Sequence, residues 1–118
     1  MDGFVRLART TDFETMRLRS YKILGRYVGI LKEADGSFRA LEMGCKHQGA
    51  DLSQGALKGH VLTCPWHGWQ YDLRDGRCLK GVDTALRPHD LRIEGEDIYV
   101  SLRPVRPGED MDAEDGVW

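Results

Sequence analysis

The sequence predicts an all-β fold built from short antiparallel strands. Short segments rich in Val, Ile, Leu, Tyr and Phe recur along the chain, and glycine-containing turns separate them. No stretch shows the apolar spacing of a long amphipathic helix. Regular short strands with such turns are typical of a small sandwich or barrel, and 118 residues suffice for one domain with one modest core.

Four candidate strands lie in the first half of the chain. The first covers residues 5–8, and the second lies within residues 16–23, where apolar residues alternate with arginines. The third and fourth cover residues 27–32 and 38–42 and flank the sequence Ala-Asp-Gly-Ser at 34–37. Because Asp-Gly readily adopts the positive φ angles of a tight turn, this pair is predicted to form a hairpin.

The second half contains five further candidate strands. They cover residues 60–63, 70–73, 78–80, 91–93 and 98–102. Asp75-Gly76 forms the turn before the third of these, and Gly95 lies in the turn between the last two. Between the two sets of strands, residues 50–57 are expected to contain one short helical turn.

The charge of the chain excludes one class of function and divides the sequence in two. A net charge of −2 lacks the basic surplus of a general nucleic-acid binder. Residues 104–118 contain five acids, one arginine, two prolines and two glycines, and therefore carry −4. We expect residues 1–103 to form the folded domain and residues 104–118 to form an acidic, flexible tail.

The sequence shows no signal for export or membrane insertion. Residues 1–13 have no apolar run and no small-residue cleavage site, which argues against a signal peptide. No apolar stretch approaches the roughly 20 residues needed to cross a bilayer. We therefore expect a cytoplasmic protein with no membrane partner. In that compartment three cysteines, an odd number, indicate metal ligands or free thiols before disulfides.

Two short segments combine cysteine with histidine. The first reads CKHQG at residues 45–49 and the second reads CPWHGW at residues 64–69, with 16 residues between the first histidine and the second cysteine. Thiolate and imidazole both bind iron, and side chains two or three residues apart in a turn can point at one centre. Glycines beside these residues let the backbone bend closely round a metal and leave its amides free to donate to sulfur.

Two other interpretations of these segments remain. A single cysteine beside a histidine most often reflects packing or coincidence. A mononuclear zinc site also uses two cysteines and two histidines. Zinc fingers, however, usually pair cysteine with cysteine and histidine with histidine, whereas each segment here mixes the two. The mixed pairs therefore favour an iron–sulfur site over zinc.

The pattern C-x-H, 16 residues, C-x-x-H-G resembles the motif of the Rieske iron–sulfur family. The residues around the second segment look like the ferredoxin and oxygenase branch of that family: Trp66, Gly68, Trp69, Tyr71, Asp72 and Leu73. The resemblance covers roughly residues 3 to 102. It implies a Rieske-type fold, with antiparallel sheets in a small sandwich and a cluster-binding subdomain of two loops at about residues 43–82.

The resemblance also implies one [2Fe-2S] cluster and its ligands. Cys45 and Cys64 would bind the inner iron, and His47 and His67 would bind the outer iron, close to solvent. In the high-potential branch of the family, a tyrosine four residues after the second histidine donates a hydrogen bond to a cluster sulfur. Tyr71 stands at that position.

Three further residues are expected around the cluster. Trp66 and Trp69 are interpreted as a hydrophobic shield, and Gly68 as a position that lets the backbone approach closely. Rieske proteins of respiratory complexes carry an additional cysteine in each loop, and this chain has Ala50 and Trp66 at those positions. That difference, with the lack of a membrane anchor, favours the soluble branch.

The resemblance implies a carrier of single electrons without a catalytic residue of its own. A Rieske oxygenase needs a second iron held by two histidines and a carboxylate, and the spare histidines His60 and His89 are too isolated for a convincing triad. No G-x-G-x-x-G sequence indicates a flavin or nicotinamide site. The expected partners are an electron-donating reductase and an electron-accepting terminal oxygenase of a multicomponent system, such as one that contains an aromatic-ring-hydroxylating dioxygenase.

Two alternatives to this function stay open. The chain could be a small Rieske subunit or interaction module of a larger reductase, such as nitrite reductase, or a zinc-binding module. Among the remaining residues, Cys78 is interpreted as an apolar packing residue, and His60 and His89 as surface or packing residues. Lys46 and Gln48 are candidates for selecting a docking partner.

Overall fold

A computed structural model describes residues 3–45, 50–66, 68–81 and 84–104, and in these ranges it confirms the all-β class. Two short 3₁₀ turns, Thr10–Phe13 and Leu52–Gln54, accompany the strands. The strands are β1 (Phe4–Arg9), β2 (Leu18–Ile23), β3 (Arg26–Lys32), β4 (Phe38–Glu42), β5 (Ala56–Lys58), β6 (Val61–Thr63), β7 (Gln70–Asp72), β8 (Cys78–Lys80), β9 (Pro88–Glu94) and β10 (Asp97–Pro104).

Six strands form the larger of two antiparallel sheets, which we call the base sheet. Its order is β1-β10-β9-β4-β3-β2, so the first and last strands of the described chain lie side by side. Side chains alternate between the two faces of each strand, and both faces carry buried apolar residues. One face forms a core together with Phe13 of the first 3₁₀ turn, and the other residues of this core are Ala8, Val28, Ile30, Ala40, Ile98 and Val100.

The remaining four strands form a small sheet, in the order β5-β6-β7-β8. All four lie between β4 and β9 in the chain, so the small sheet is an insertion in the base sheet. The ends of the insertion are held together at a neck. There the Glu42 amide donates to the Arg87 carbonyl at 2.8 Å, and the Arg87 amide donates to Glu42 Oε1 at 2.7 Å. Arg87 Nη2 also lies 3.2 Å from Glu42 Oε2.

A second core fills the space between the two sheets. Fully buried Met43 comes from the neck, and Leu52, Leu62 and Tyr71 come from the insertion. Full burial of an aliphatic side chain of this size contributes roughly 1.5–3 kcal/mol. The insertion is therefore fixed to the base sheet by apolar packing as well as by the neck.

The β3–β4 hairpin forms as the sequence predicts. Its turn is stabilised by Asp35, whose Oδ1 accepts hydrogen bonds from the amide of Ser37 at 2.9 Å and from its hydroxyl at 2.7 Å. The predicted strand boundaries differ most at β9, which begins three residues earlier, at Pro88. Proline is tolerated there because the first residue of a strand need not donate a ladder hydrogen bond.

Residues 50–57 contain more structure than the one helical turn expected. The 3₁₀ turn Leu52–Gln54 is followed by strand β5, which pairs with β6 and which the sequence analysis missed. The segment Ala-Leu-Lys has no β-branched residue, so local propensity did not indicate a strand. The turn Thr10–Phe13 was also not predicted.

The structure describes only the first residue of the predicted tail. Pro104, the first residue of the predicted tail, ends β10 and is buried, and residues 105–118 lie outside the described residues. In the ranges that the structure describes, no helix is long and apolar enough to span a membrane.

Candidate metal centre

A backbone hydrogen bond between described residues closes each of the two segments that contain cysteine and histidine. In the first loop, residues 45–50, the Cys45 amide donates to the Ala50 carbonyl at 2.8 Å. In the second loop, residues 64–69, the Cys64 amide donates to the Trp69 carbonyl at 2.6 Å. Each loop is thus closed by the same hydrogen bond across five residues.

Both predicted histidine ligands fall at positions inside these closed loops. His47 and His67 themselves lie outside the described residues, as do Lys46, Gln48 and Gly49. Among the residues that the structure describes, no three histidine, cysteine, aspartate or glutamate side chains converge on one point. Of the four predicted ligands, the structure describes the two cysteines, Cys45 and Cys64.

The two cysteine thiols are buried and close enough to interact. Cys45 and Cys64 are 4% and 3% exposed, and neither forms a disulfide. Burial raises the pKa of the Cys64 thiol, and the neighbouring Cys45 thiol raises it further. Two thiols brought together away from water are costly to ionise without a cation, and this pair is arranged as sulfur ligands of a metal are.

A polar group lies within hydrogen-bond distance of each of the two sulfur atoms. The Trp66 amide donates to Cys64 Sγ at 3.4 Å, and the Tyr71 hydroxyl lies 3.5 Å from Cys45 Sγ. Tyr71 is fully buried, so its hydroxyl does not face water. Hydrogen bonds to sulfur stabilise the negative charge of a thiolate and tune a metal that it binds. The donor set around the cysteines therefore fits an iron–sulfur centre.

Trp69 fixes the second loop through packing. Gly81 has φ +145°, and a Cβ at that position would lie 2.6 Å from Cδ2 of Trp69 and 3.0 Å from Cys78 Sγ. The indole ring therefore rests on the bare backbone of Gly81, where any other residue would displace it. Cys78 is buried beside them, and its thiol donates to the Lys80 carbonyl at 3.4 Å. This arrangement agrees with the packing role expected for Cys78.

The other residues singled out in the sequence lie in different surroundings. Trp66, expected to shield the centre together with Trp69, is 52% exposed, so its ring is accessible at the surface of the second loop. Gly68 has a left-handed backbone, with φ +73°. His60 is exposed in the β5–β6 turn. His89 is buried in the base sheet, where Nδ1 lies 2.8 Å from the Ser101 carbonyl oxygen.

Sequence reasoning missed the polar residues that hold the first loop to the base sheet. Asp51, directly after the loop, accepts hydrogen bonds from Ser53 and from Ser20 of β2. The Asp-x-Ser spacing was a detectable signal for a local turn. Nothing in the sequence indicated the contact with Ser20, which lies 31 residues away.

Comparison with known proteins identifies the family. Residues 3–93 match the model of the Rieske [2Fe-2S] domain. The chain belongs to the Rieske family. This assignment confirms the resemblance of the two loop segments, and the motif segments at 45–49 and 64–69 both lie within the match.

The curated relatives are mostly much longer proteins. The oxygenase component of a 3-ketosteroid-9-alpha-monooxygenase from Rhodococcus rhodochrous is 33% identical over 85 residues, which are 72% of this chain and 21% of that protein. The cholesterol 7-desaturase of Hemicentrotus pulcherrimus is 29% identical over 79 residues, 66% of this chain and 17% of that protein. The chain thus spans about a fifth of the length of these relatives.

Solved structures with the same fold include complete small proteins. The ferredoxin of carbazole 1,9a-dioxygenase from Nocardioides aromaticivorans IC177 has a TM-score of 0.72 and 23% identity, over 86% of this chain and 100% of that chain. A chain from the complex of oxygenase and ferredoxin in carbazole 1,9a-dioxygenase has a TM-score of 0.74. It is 23% identical, over 88% of this chain and 97% of that one. A protein described as a nitrite reductase (NADPH) small subunit has a TM-score of 0.60. It is 17% identical, over 82% of this chain and 96% of that chain.

Proposed function

We propose that this Rieske protein carries single electrons from a reductase to a terminal oxygenase. It would do so through one [2Fe-2S] cluster held by Cys45, His47, Cys64 and His67. The observation that carries this proposal is the convergence of the buried Cys45 and Cys64 thiols, each at the start of a closed loop that contains a histidine at the Rieske spacing.

The ligand set suits one-electron transfer. With two thiolates and two neutral imidazoles, a bound cluster supplies a one-electron acceptor whose site goes from neutral to −1 on reduction. Four thiolates would instead take the site from −2 to −3. Adding an electron to the less negative site costs less, so histidine ligation raises the potential to about −150 to +300 mV.

The chain's own residues prepare the site for that charge. The Trp66 amide and the Tyr71 hydroxyl direct hydrogens at the two cysteine sulfurs and thereby favour the more negative, reduced state. Trp69, packed on Gly81, keeps water from the side of the second loop. The exposed Trp66 ring gives a partner an apolar surface beside the loop.

An oxygenase is the favoured electron acceptor. Structures that share this fold include a ferredoxin of carbazole 1,9a-dioxygenase and a chain from its complex with the oxygenase, and this chain matches nearly their whole length. In the longer curated relatives the matching segment is part of an oxygenase component. We therefore infer that this Rieske domain passes electrons to such a component.

Cluster content tests the proposal directly. The purified protein is expected to contain two iron and two sulfide per chain and to give, when reduced, an EPR signal with the low average g value typical of mixed histidine and cysteine ligation. Cys64→Ala and His67→Ala should abolish that signal, whereas Cys78→Ala should retain it. One zinc per chain without sulfide would overturn the proposal, and an intact spectrum in Cys64→Ala would show that the ligands are wrongly assigned.

A second candidate function is the small subunit of a nitrite reductase, which the fold similarity to such a protein supports. The two candidates differ in the acceptor. We expect the reduced protein to be reoxidised faster by a Rieske terminal oxygenase with its substrate than by a nitrite reductase large subunit with nitrite. The opposite order, measured by stopped-flow absorbance, would favour the second candidate.

A further inference from the structure

A polar network joins the first loop to the base sheet. Asp51 Oδ1 accepts hydrogen bonds from the Ser53 amide at 3.0 Å and from the Ser53 hydroxyl at 2.8 Å. Its other oxygen, Oδ2, accepts from the Ser20 hydroxyl at 2.8 Å, and the two serine hydroxyl oxygens lie 2.9 Å apart. One carboxylate thus holds both its own 3₁₀ turn and a strand distant in sequence.

An ionised Asp51 carboxylate can be the acceptor for both serine hydroxyls, one on each oxygen. The two serine hydroxyls have two protons between them, and the two oxygens of Asp51 can accept both. Hydrogen bonds to an ionised acceptor are about twice as strong as those between neutral groups. The contact with Ser20 is therefore a charge-assisted side-chain link between the segment after the first loop and the base sheet.

Asp51 is placed to transmit this link to the metal-binding loop. It forms a β-bridge with Gly44, the residue before Cys45, and it follows Ala50, whose carbonyl closes the first loop. Ser20 is fixed in turn, because β2 pairs with β3 and Ser20 stands opposite Gly29. A Cβ at Gly29 would overlap the side chain of Met43, so β3 packs directly against the segment that leads to Cys45.

We propose that Asp51 is a positioning residue for the iron–sulfur site, and that its hydrogen bond to Ser20 couples the geometry of the first loop to the base sheet. The inference rests on the proposed function. It assigns to Ser20 and Asp51, which lie outside the proposed ligand set, control over how firmly Cys45 and its loop hold a cluster.

The chain contains a matched control for this contact. Asp35 and Ser37 form the same Asp-x-Ser turn in the β3–β4 hairpin, with hydrogen bonds of 2.9 and 2.7 Å. Both of these bonds stay within the turn, two residues apart. A comparison of the Asp51 and Asp35 turns therefore separates the cross-link from the local turn.

The decisive variant is Ser20→Ala, which removes the cross-link and leaves the Asp51–Ser53 turn and the charge of Asp51 in place. We expect its visible absorption to bleach about tenfold faster than that of the wild type under an iron chelator, since loss of a charged hydrogen bond is at least of that size. Its EPR signal should also broaden, because the loop samples more geometries. Ser37→Ala should bleach at the wild-type rate. Ser20→Thr keeps the hydroxyl, so its absorption should also bleach at the wild-type rate.

Asp51→Asn gives a second, independent measurement. An amide can still accept from the Ser53 amide and can donate to Ser20, so the turn is retained while the charge is lost. The reduction potential should rise, because a negative charge near the site opposes added electrons. Equal bleaching rates, EPR signals and potentials in wild type, Ser20→Ala and Asp51→Asn would overturn the inference.

The design separates failure of this inference from failure of the proposed function. If the wild type binds no cluster, the proposed function fails, and amide hydrogen exchange of the unloaded protein then decides the coupling. The Cys45 amide should exchange faster in Ser20→Ala than in Ser37→Ala. If Ser20→Ala does not fold, Ser20→Val replaces it, because valine has the shape of the threonine in Ser20→Thr without its hydroxyl. Faster bleaching in Ser20→Val than in Ser20→Thr supports the inference, and equal bleaching in the two overturns it.

Discussion

The first and second loops are closed in the same way but supported by different forces. In each, the cysteine amide donates to the carbonyl five residues further on. The first loop is held by polar side chains, Asp51 and Ser20, that connect it to the base sheet. The second is held by apolar packing of Trp69 on Gly81 within the small sheet.

The difference shows how one site can be built from two independent supports. The polar link of the first loop is directional and depends on a distant strand, whereas the aromatic packing of the second depends on area and shape. Tyr71 crosses between them, because it follows the second loop in the chain and its hydroxyl reaches Cys45 in the first. Each prediction below tests one of these supports or the contact between them.

The largest effect is expected where the two loop regions touch. A Cβ on Gly55 would overlap the Thr63 carbonyl oxygen and lie 3.2 Å from Cδ of Pro65. Backbone cannot move aside as a flexible side chain can, so Gly55→Ala should separate the loops, lower the free energy of unfolding by about 3 kcal/mol and prevent cluster assembly. Iron content and urea unfolding measure both effects.

Gly59→Ala is the control for that variant. Gly59 lies at the other end of β5, and a Cβ there meets no heavy atom within 4 Å. Its positive φ should cost about 1 kcal/mol without loss of iron. Full iron content in Gly55→Ala would show that the close approach is not needed to bring the loops together.

The aromatic support of the second loop is tested at Gly81. Gly81→Ala combines an unfavourable φ with overlap of the Trp69 ring, and we expect it to lower the free energy of unfolding by about 2–3 kcal/mol. Trp69→Leu should lower it by about 2 kcal/mol. The exposed Trp66 provides the matched control, because Trp66→Leu should cost less than about 1 kcal/mol. Equal losses in the two tryptophan variants would contradict the packing role of Trp69.

The contact between the loops is tested at Tyr71. Its hydroxyl is buried 3.5 Å from Cys45 Sγ, and a hydrogen bond to sulfur that favours the reduced state by about 1 kcal/mol raises a one-electron potential by roughly 45 mV. Tyr71→Phe should therefore lower the potential by some tens of mV, measured by protein-film voltammetry. Tyr99→Phe, in the base sheet, should leave it unchanged. An unchanged or higher potential in Tyr71→Phe would remove the hydroxyl from any role at the cluster.

The smallest effect is the pH dependence of stability that His89 of the base sheet should cause. Burial lowers the pKa of His89 below its ordinary value, in spite of its bond to the Ser101 carbonyl. As pH falls below about 6.5, the unfolded chain binds a proton that the folded chain does not. Stability is therefore full above about pH 6.5 and declines below it, by at most about 1.4 kcal/mol per pH unit.

Denaturant unfolding between pH 7.5 and 5.5 measures this decline. His89→Asn should flatten it, whereas His60→Asn, at an exposed position, should retain the wild-type slope. Because His89 and Gly44 line one cavity of about 220 Å³, lowering the pH should reduce the protection of the Cys45 amide from hydrogen exchange more than that of the Cys64 amide, once the intrinsic pH dependence of exchange is corrected for. Identical slopes in wild type and His89→Asn would exclude His89 as the source.

The sequence by itself determined the class of fold and the family. Strand alternation and Asp-Gly turns act over a few residues, so β3, β4 and their hairpin could be predicted from local pattern. The cysteine–histidine spacings identified a family because the cysteine and the histidine of each segment lie only two or three residues apart in the sequence. The roles of His47 and His67 remain predictions, since both lie outside the described residues.

Only the tertiary structure decided which contacts support that site. The short strand β5 has little intrinsic preference for its conformation and forms because β6 lies beside it. Likewise, Trp66 and Trp69 have the same side chain but differ in burial. The fold brings the backbone of Gly81 against the ring of Trp69, whereas the ring of Trp66 stays exposed. The link from Ser20 to Asp51 spans 31 residues and has no local signature, because the two meet only when β2 and the insertion have folded against each other.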